Sequence, residues 1–247
     1  MPQVTLGFWI IKVAATTLGE TGGDALSMTL HLGYALSSVV FIALFAAVVA
    51  AQIRARSFHP FLYWAVIVAT TTAGTTMADF ADRSLGIGYV GGSVLLLALL
   101  CAALYLWRRV AGNVSVTRIA SPRDEAFYWA TILFSNTLGT ALGDFLADSS
   151  GLGYEGGALV FAAALVLVAA AYFFTQTSHT LLFWLAFVLT RPLGATLGDL
   201  LTKPHQNGGL DLSRISSSAA IAGFMAACIV ILHYLRARRP PGPSARA

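Results

Sequence analysis

Residues 9–24 read WIIKVAATTLGETGGD, and the same pattern returns three more times along the chain. The further copies are 64–79 (WAVIVATTTAGTTMAD), 129–144 (WATILFSNTLGTALGD) and 184–199 (WLAFVLTRPLGATLGD). In each copy a tryptophan is followed ten residues later by a glycine and fifteen residues later by an aspartate. An aspartate is costly to bury in an apolar segment, so its return at a fixed spacing points to a role in function or in helix association.

The composition around these copies is that of a membrane protein. Hydrophobic residues make up 57% of the 247 residues, charged residues only 11%, and the mean hydropathy is +0.75. A soluble domain carries roughly twice that share of charge. We therefore predict an all-α, polytopic membrane protein with eight spans. We place them at about 4–27, 34–53, 60–81, 90–109, 125–147, 155–175, 180–201 and 213–235.

The spacing of the copies predicts the domain organisation. Each copy begins a two-span repeat, so all four repeats enter the membrane in the same orientation. Copies 1 and 2 are 55 residues apart, as are copies 3 and 4, whereas the first pair maps onto the second by a shift of 120. We predict one membrane domain, 1–236, with pseudo-symmetric halves 1–112 and 121–236 and a linker at 113–120. We expect residues 237–247 to form a disordered cytoplasmic tail.

The arginines predict how the chain lies in the membrane. They cluster after spans 2, 4 and 8, whereas the opposite connections hold few basic residues, which acids accompany. By the positive-inside rule, both termini of this multi-pass protein lie in the cytoplasm. The repeated aspartates then lie toward the external ends of the odd spans. The tryptophans lie near the cytoplasmic ends, where we interpret them as anchors at the membrane interface.

The glycines predict close helix packing. They form small-xxx-small pairs, a spacing that lets two membrane helices approach closely. The predicted packing residues are Gly19, Gly23, Gly74, Gly139, Gly143, Gly194 and Gly198. We expect the odd helices to pack through these faces, either against one another or against their own even partners.

The aspartates predict a cation site. If the odd helices meet around an axis, Asp24, Asp79, Asp144 and Asp199 come together with Glu20. Polar side chains at helical spacing before the acids are the predicted supporting residues: Thr17, Thr72, Thr75, Thr137, Thr140 and Asn136. A set of oxygen donors suits hard divalent cations such as Mn²⁺, Mg²⁺ or Ca²⁺. The alternative is that each aspartate ends one helix and caps a following element.

The fourth copy departs from the others. Arg191 stands where the other copies have threonine or asparagine, and Pro192 follows it. An arginine inside a membrane needs a partner, and an acid from another repeat is the natural one. Arg191 is either an internal counter-ion that a substrate cation displaces or part of a structural salt bridge. Pro192 is expected to kink or break its helix.

These features predict a membrane transporter for a divalent metal cation, acting as a proton-coupled secondary exporter. The alternative is a non-transporting scaffold or partner subunit, in which the Gly-Asp motifs only hold helices together. We expect membrane lipid around the protein, no permanently bound cofactor and no nucleic-acid partner. Transport of a small organic cation and formation of a homodimer both stay open. The sequence has no HExxH and no GxxxxGK[ST] motif, so we predict neither an enzyme nor an ATP-driven pump.

Four tandem two-span repeats, each with a tryptophan and a TLGxxxGDxL-type stretch, resemble the bacterial DUF347-repeat membrane proteins. The resemblance extends over about residues 5–235, with alanine at position 78 where the pattern has glycine. It implies the repeated membrane architecture and the inner membrane of a bacterium, but no particular activity.

Overall fold

The computed structural model describes residues 4–55, 58–86, 88–112, 114 and 121–237, and every regular element in these ranges is helical. The predicted all-α class is therefore confirmed. The eight α-helices are α1 (Leu6–Asp24), α2 (Gly33–Arg54), α3 (Pro60–Asp79), α4 (Gly88–Ala111), α5 (Pro122–Asp144), α6 (Gly153–Phe174), α7 (His179–Thr202) and α8 (Arg214–Ala237). All except α1 and α5 are long and apolar enough to cross a membrane by themselves. Eight membrane-spanning helices thus stay a prediction.

The four odd-numbered helices form a closed ring. α1 packs against α3 and α7, and α5 packs against the same two helices from the other side. Each even helix lies outside this ring against the odd helix of the next repeat, so that α2 packs on α3, α4 on α5 and α6 on α7. α8 returns to α1 and completes the circle. The two predicted halves therefore share one ring, while most of the predicted linker and tail (113, 115–120 and 238–247) lies outside the described residues.

The even helices present apolar side chains to the surroundings. In α2, α4, α6 and α8 only 11–22% of the most apolar window is buried, compared with 72% in α3 and 61% in α7. Exposed leucine, valine and phenylalanine side chains cover these outer helices. Exposed apolar surface of this extent is compatible with a membrane and would be prone to association in water. Within the described residues, the ring supplies the interior and the even helices supply an apolar outer wall.

The repeated glycines are the contact points of the ring. Gly19 packs against Thr71, Gly74 against Asn136 and Thr137, Gly139 against Arg191 and Pro192, and Gly194 against Thr16. The second small residues follow the same path: Gly23 packs against Thr75 and Thr76, Gly143 against Ala195 and Pro192, and Gly198 against Glu20. Each odd helix thus offers its glycine face to the next odd helix around the circle. Of the two predicted arrangements, the structure has the one in which the odd helices pack against one another.

The tryptophans are core residues, so their interpretation as interface anchors is wrong. Trp64, Trp129 and Trp184 are buried, and only Trp9 is partly exposed. They belong to an aromatic cluster at one end of the ring, in which phenylalanine and tyrosine rings lie between them and Trp107 packs on Trp184. We call this the Trp end and the opposite end the Asp end. The tryptophans are buried because they belong to the ring helices, which are enclosed by neighbours even near their ends.

Pro192 does not break its helix. α7 runs as one α-helix from His179 to Thr202, with Pro192 inside it and packed against Gly139 and Gly143. The irregular backbone lies elsewhere, because a π-helical turn directly follows the aspartate that ends α1, α3 and α5. These turns are Ala25–Thr29, Phe80–Ser84 and Phe145–Ser149. After α7 the described chain instead forms a short 3₁₀ turn at His205–Asn207.

Replacing Gly194 with alanine tests the glycine contacts. A Cβ at this position would lie 2.8 Å from the backbone carbonyl carbon of Thr16, so α7 and α1 would have to separate. We expect Gly194→Ala to lower the free energy of unfolding by about 1–3 kcal/mol. Gly22→Ala is the matched control, because a Cβ there has nothing within 4 Å. It should leave stability unchanged or raise it by up to about 1 kcal/mol. Tryptophan fluorescence during thermal unfolding in detergent measures both, and equal midpoints would contradict the close-contact role.

Candidate functional site: a buried column of charge

Equivalent positions of the four repeats form layers inside the ring. Successive layers are four residues apart along each odd helix, which is close to one helical turn. From the Trp end to the Asp end they are Phe8/Tyr63/Tyr128/Phe183, Lys12/Ile67/Ile132/Phe187, Thr16/Thr71/Asn136/Arg191, Glu20/Thr75/Thr140/Ala195, Asp24/Asp79/Asp144/Asp199 and Met28/Arg83/Asp148/Lys203. We call them the tyrosine, lysine, arginine, glutamate, aspartate and rim layers. All sixteen side chains of the four middle layers are buried. The predicted meeting of the four aspartates and Glu20 is therefore what the structure has.

Arg191 lies at the centre of this column. Its Nη2 donates to Glu20 Oε2 at 2.9 Å and to Thr140 Oγ1 at 2.6 Å, and it also donates to Thr75 Oγ1. Longer hydrogen bonds reach the carbonyl oxygens of Thr16 and Thr71, at 3.3 and 3.5 Å. The guanidinium group thus contacts the other three ring helices. The expected acid partner from another repeat is Glu20.

The aspartate layer is divided between two basic side chains of the rim layer. Arg83 Nε lies 3.2 Å from Asp79 Oδ1, and Arg83 Nη2 lies 3.6 Å from Asp144 Oδ2. Lys203 Nζ lies 2.9 Å from Asp24 Oδ2 and 3.1 Å from Asp199 Oδ1. Each base therefore bridges the aspartates of two neighbouring ring helices. This pairing lets four carboxylates approach one another in a medium of low dielectric.

Lys203 stays charged in this position. Its burial lowers the pKa of the ammonium group, but the carboxylates of Asp199 and Asp24 raise it by more. The net result is a pKa well above the usual range for lysine. Arg214 adds a further positive group at 3.6 Å from Asp24. Asp24 thus has two basic neighbours.

Three carboxylates come close enough together to share an ion. Among the described residues, Glu20, Asp24 and Asp199 each offer a carboxylate oxygen, and these atoms lie within 4.8 Å of one another. All three side chains are buried, and Asp24 Oδ1 has no hydrogen-bond partner within the described part of the chain. Oxygen donors at this spacing suit a hard divalent cation. Asp79 and Asp144 lie in the same layer but belong to the Arg83 side of it.

The predicted supporting residues divide into two groups. Thr75 and Thr140 reach Arg191, as described above, and Asn136 Nδ2 donates to Thr70 Oγ1. Thr17, Thr72 and Thr137 instead donate to carbonyl oxygens one turn back in their own helices, those of Val13, Val68 and Leu133. These three hydroxyls therefore make no contact with the carboxylates. The capping alternative also fails for three of the aspartates, because Asp24, Asp79 and Asp144 make no side-chain cap hydrogen bond at the turns they precede.

The basic half of the site is absent from the residues predicted above. Arg83 and Lys203 lie in the connections that we predict to be external. A signal was present, because Arg83 and Lys203 each follow a repeated aspartate by four residues and thus continue the same helical face. Arg214 carries no such signal, since it begins α8 and meets Asp24 only through the packing of α8 on α1.

A polar cavity of about 520 Å³ opens beside the rim layer at the Asp end. Its lining includes Arg83, Asp148, Tyr154, Lys203 and Arg214. Tyr89 donates to Asp148 Oδ2 at 2.9 Å, so the acid is held in place at the cavity wall. The cavity thus ends at the two bases that cover the aspartates.

The repeats of this chain match a known sequence family. The family model described as Repeat of Unknown Function (DUF347) matches residues 7–58, 62–113, 127–178 and 182–238. The chain belongs to this family. Each matched segment covers one odd helix and the even helix that follows it, which confirms the expected two-helix repeat. No curated protein and no solved structure matches the chain.

Replacing Glu20 with glutamine tests the central ion pair. The variant leaves a buried guanidinium without its counter-charge, so we expect the free energy of unfolding to fall by about 3–5 kcal/mol. The double variant Glu20→Gln with Arg191→Leu removes both charges and should recover much of that loss. Glu155→Gln, at an exposed position of α6, is the control and should have no effect. Thermal unfolding in detergent measures all three. A single variant as stable as the native protein would show that the pair does not hold the ring.

Proposed function

We propose that this protein is a secondary transporter that exports a divalent cation of the Mn²⁺, Mg²⁺ or Ca²⁺ type in exchange for protons. We place it in the bacterial inner membrane with both termini in the cytoplasm. The observation that carries the proposal is the group of three buried carboxylates, Glu20, Asp24 and Asp199, within 4.8 Å of one another inside the ring. Intramembrane acids are expensive, and a group of them inside a bundle is by default a functional-site hypothesis.

The bases around these acids fit the role of internal counter-ions. Carboxylates this close cannot all stay ionised without positive charge between them. Lys203 supplies part of that charge, through contacts of 2.9 and 3.1 Å to Asp24 and Asp199. Lysine is a point charge on a flexible stem, whereas Arg191 is fixed by contacts to three other helices. We infer that an arriving cation displaces Lys203 and leaves Arg191 in place.

The two ends of the column support a one-sided route to the site. The cavity at the Asp end reaches Lys203 directly. At the Trp end the tyrosine layer lies across the ring, where the hydroxyl groups of Tyr63 and Tyr128 form a buried hydrogen bond of 3.0 Å. Trp129 packs on both tyrosines. This arrangement corresponds to the outward-open state of an alternating-access cycle, with the aromatic end as the closed gate.

The basic residues support the proposed orientation. Arg54 ends α2, and Arg108 and Arg109 lie in the last turn of α4, at the Trp end of the bundle. Gly7 of α1 packs against Leu232 of α8, so both ends of the described chain lie on that side. A cluster of arginines at the Trp end is expected for the cytoplasmic face. The aspartates and the polar cavity would then face outward.

A second function is favoured by a different observation. Glu20 and all four repeated aspartates lie within 4 Å of a basic side chain, so each of these acids already has a basic partner without any ion. This favours a scaffold or partner subunit in which the ion pairs only fix the ring. The two functions differ in the expected effect of a neutral side chain at the site, which would lower ion flux in a transporter and only stability in a scaffold.

Cation flux in proteoliposomes separates the two functions. We expect the native protein to move Mn²⁺ down its gradient, and Asp24→Asn and Asp199→Asn to lower the flux about 10–100-fold, since each removes one charged ligand. Asp211→Asn, an exposed position between α7 and α8, is the control and should transport normally.

Parallel arms of the same experiment use Mg²⁺ and Ca²⁺. No flux of any of the three ions through the native protein would overturn the transporter proposal. A lowered unfolding temperature for the asparagine variants, without any flux in the native protein, would support the scaffold. Full flux in both variants would show that the transported ion does not bind to this group of acids.

A further inference from the structure

Lys12 is a buried charged group that the proposed ion site does not use. Its side chain is fully buried inside the ring, and its Nζ atom makes no hydrogen bond within the described residues. The Nζ atom lies over the ring of Phe187, 4.1 Å from its centroid. A cation–π contact of this kind recovers only about 0.5–2 kcal/mol, much less than the cost of an unpaired buried ammonium.

The layer that contains Lys12 is otherwise apolar. The equivalent positions of the other three repeats hold Ile67, Ile132 and Phe187, all buried. The lysine thus breaks the symmetry of the ring at one point, where nothing in the packing requires a charge. A stable core would use a fourth apolar side chain there, so the amine calls for a role other than packing.

Among the described residues, the charged group that acts electrostatically on Lys12 is a base. Arg191 of α7 lies one layer toward the Asp end and acts on Lys12 as a like charge. The adjacent layer toward the Trp end contains the hydroxyl groups of Tyr63 from α3 and Tyr128 from α5, which are hydrogen-bonded to each other. α8 packs on this end of α1 with the apolar side chains of Met225 and Ile229. Because no acid in these described layers pairs with it, the amine can lose its proton without leaving a carboxylate unpaired.

We propose that Lys12 is the proton-coupling residue of the transporter, which releases a proton when the cation binds and takes one up when the cation leaves. The inference rests on the proposed function, since it concerns how that ion site is coupled. When the cation binds, an N–H bond of the Lys12 ammonium group breaks, the electron pair stays on Nζ, and the proton passes to water.

The coupling needs no direct contact between the ion and Lys12. Lys12 and Glu20 are separated by eight residues on one face of α1, a distance of about 12 Å along the helix axis. At that distance and an effective dielectric constant of about 20, each added positive charge weakens proton binding about tenfold, so a divalent ion that displaces Lys203 weakens it about 10–100-fold. A shift of this size changes the fraction of Lys12 that carries a proton.

Calorimetric titration with Mn²⁺ in two buffers of different ionisation enthalpy tests the inference, because it counts the protons released for each ion bound. We expect Lys12→Met to bind Mn²⁺ but to release up to about one proton fewer than the native protein, with the titration repeated over a series of pH values to find the largest difference. Lys12→Arg should lose the same proton, because a guanidinium group cannot give one up. Ile67→Met is the matched control in the same layer and should release as many protons as the native protein.

The outcomes separate the two proposals. Absence of binding of Mn²⁺, Mg²⁺ and Ca²⁺ by the native protein would overturn the ion site and the coupling together. Binding with an unchanged proton count in Lys12→Met would overturn the coupling role alone and leave the ion site standing. If Lys12→Met does not fold, the proton count of Lys12→Arg decides the question in the same way.

Discussion

The pairing of Arg191 with Glu20 is the interaction on which the ring depends. The guanidinium group reaches side chains or carbonyl oxygens of the other three ring helices from a single position in α7. A buried charge must be paired and hydrogen-bonded, and this requirement fixes the helices relative to one another. The glycines make the arrangement sterically feasible, because they let the backbones come close enough for one side chain to span the ring.

Symmetry and its violation have different tasks in this protein. The features repeated four times, which are the tryptophan, the glycine and the aspartate, build the ring and its layers. The charged residues that occur once each, such as Lys12, Glu20, Arg83, Arg191 and Lys203, give the interior its electrostatic character. Four identical aspartates alone would repel one another, and the bases Arg83 and Lys203, which only two of the four repeats carry at the equivalent position, relieve that repulsion. These differences between the repeats give the ring two unlike sides.

Some of this organisation can be predicted from the sequence, and the reasons for the rest are physical. The two-helix repeat, the glycine contacts and the convergence of the acids follow from spacing, since helical geometry fixes which residues share a face. The partners of the acids do not follow in the same way. Arg214 meets Asp24 only because α8 packs on α1, which no local pattern encodes. The burial of Trp129 cannot be predicted from the sequence, because a tryptophan near a helix end has the same sequence signature whether lipid or protein surrounds it.

The outer helices have a consequence for how the protein is made. Every even helix packs on the odd helix of the following repeat, and α8 packs on α1, so no repeat is complete until its neighbour exists. The chain is also synthesised from its N-terminus, and the pair that joins Glu20 to Arg191 spans 171 residues. During synthesis the acids of α1 thus precede Arg191 and Lys203 by most of the length of the chain. Until α7 arrives, the acids of α1 avoid the cost of an unpaired charge in lipid either in a polar environment, at the insertion machinery or the membrane surface, or by taking up protons.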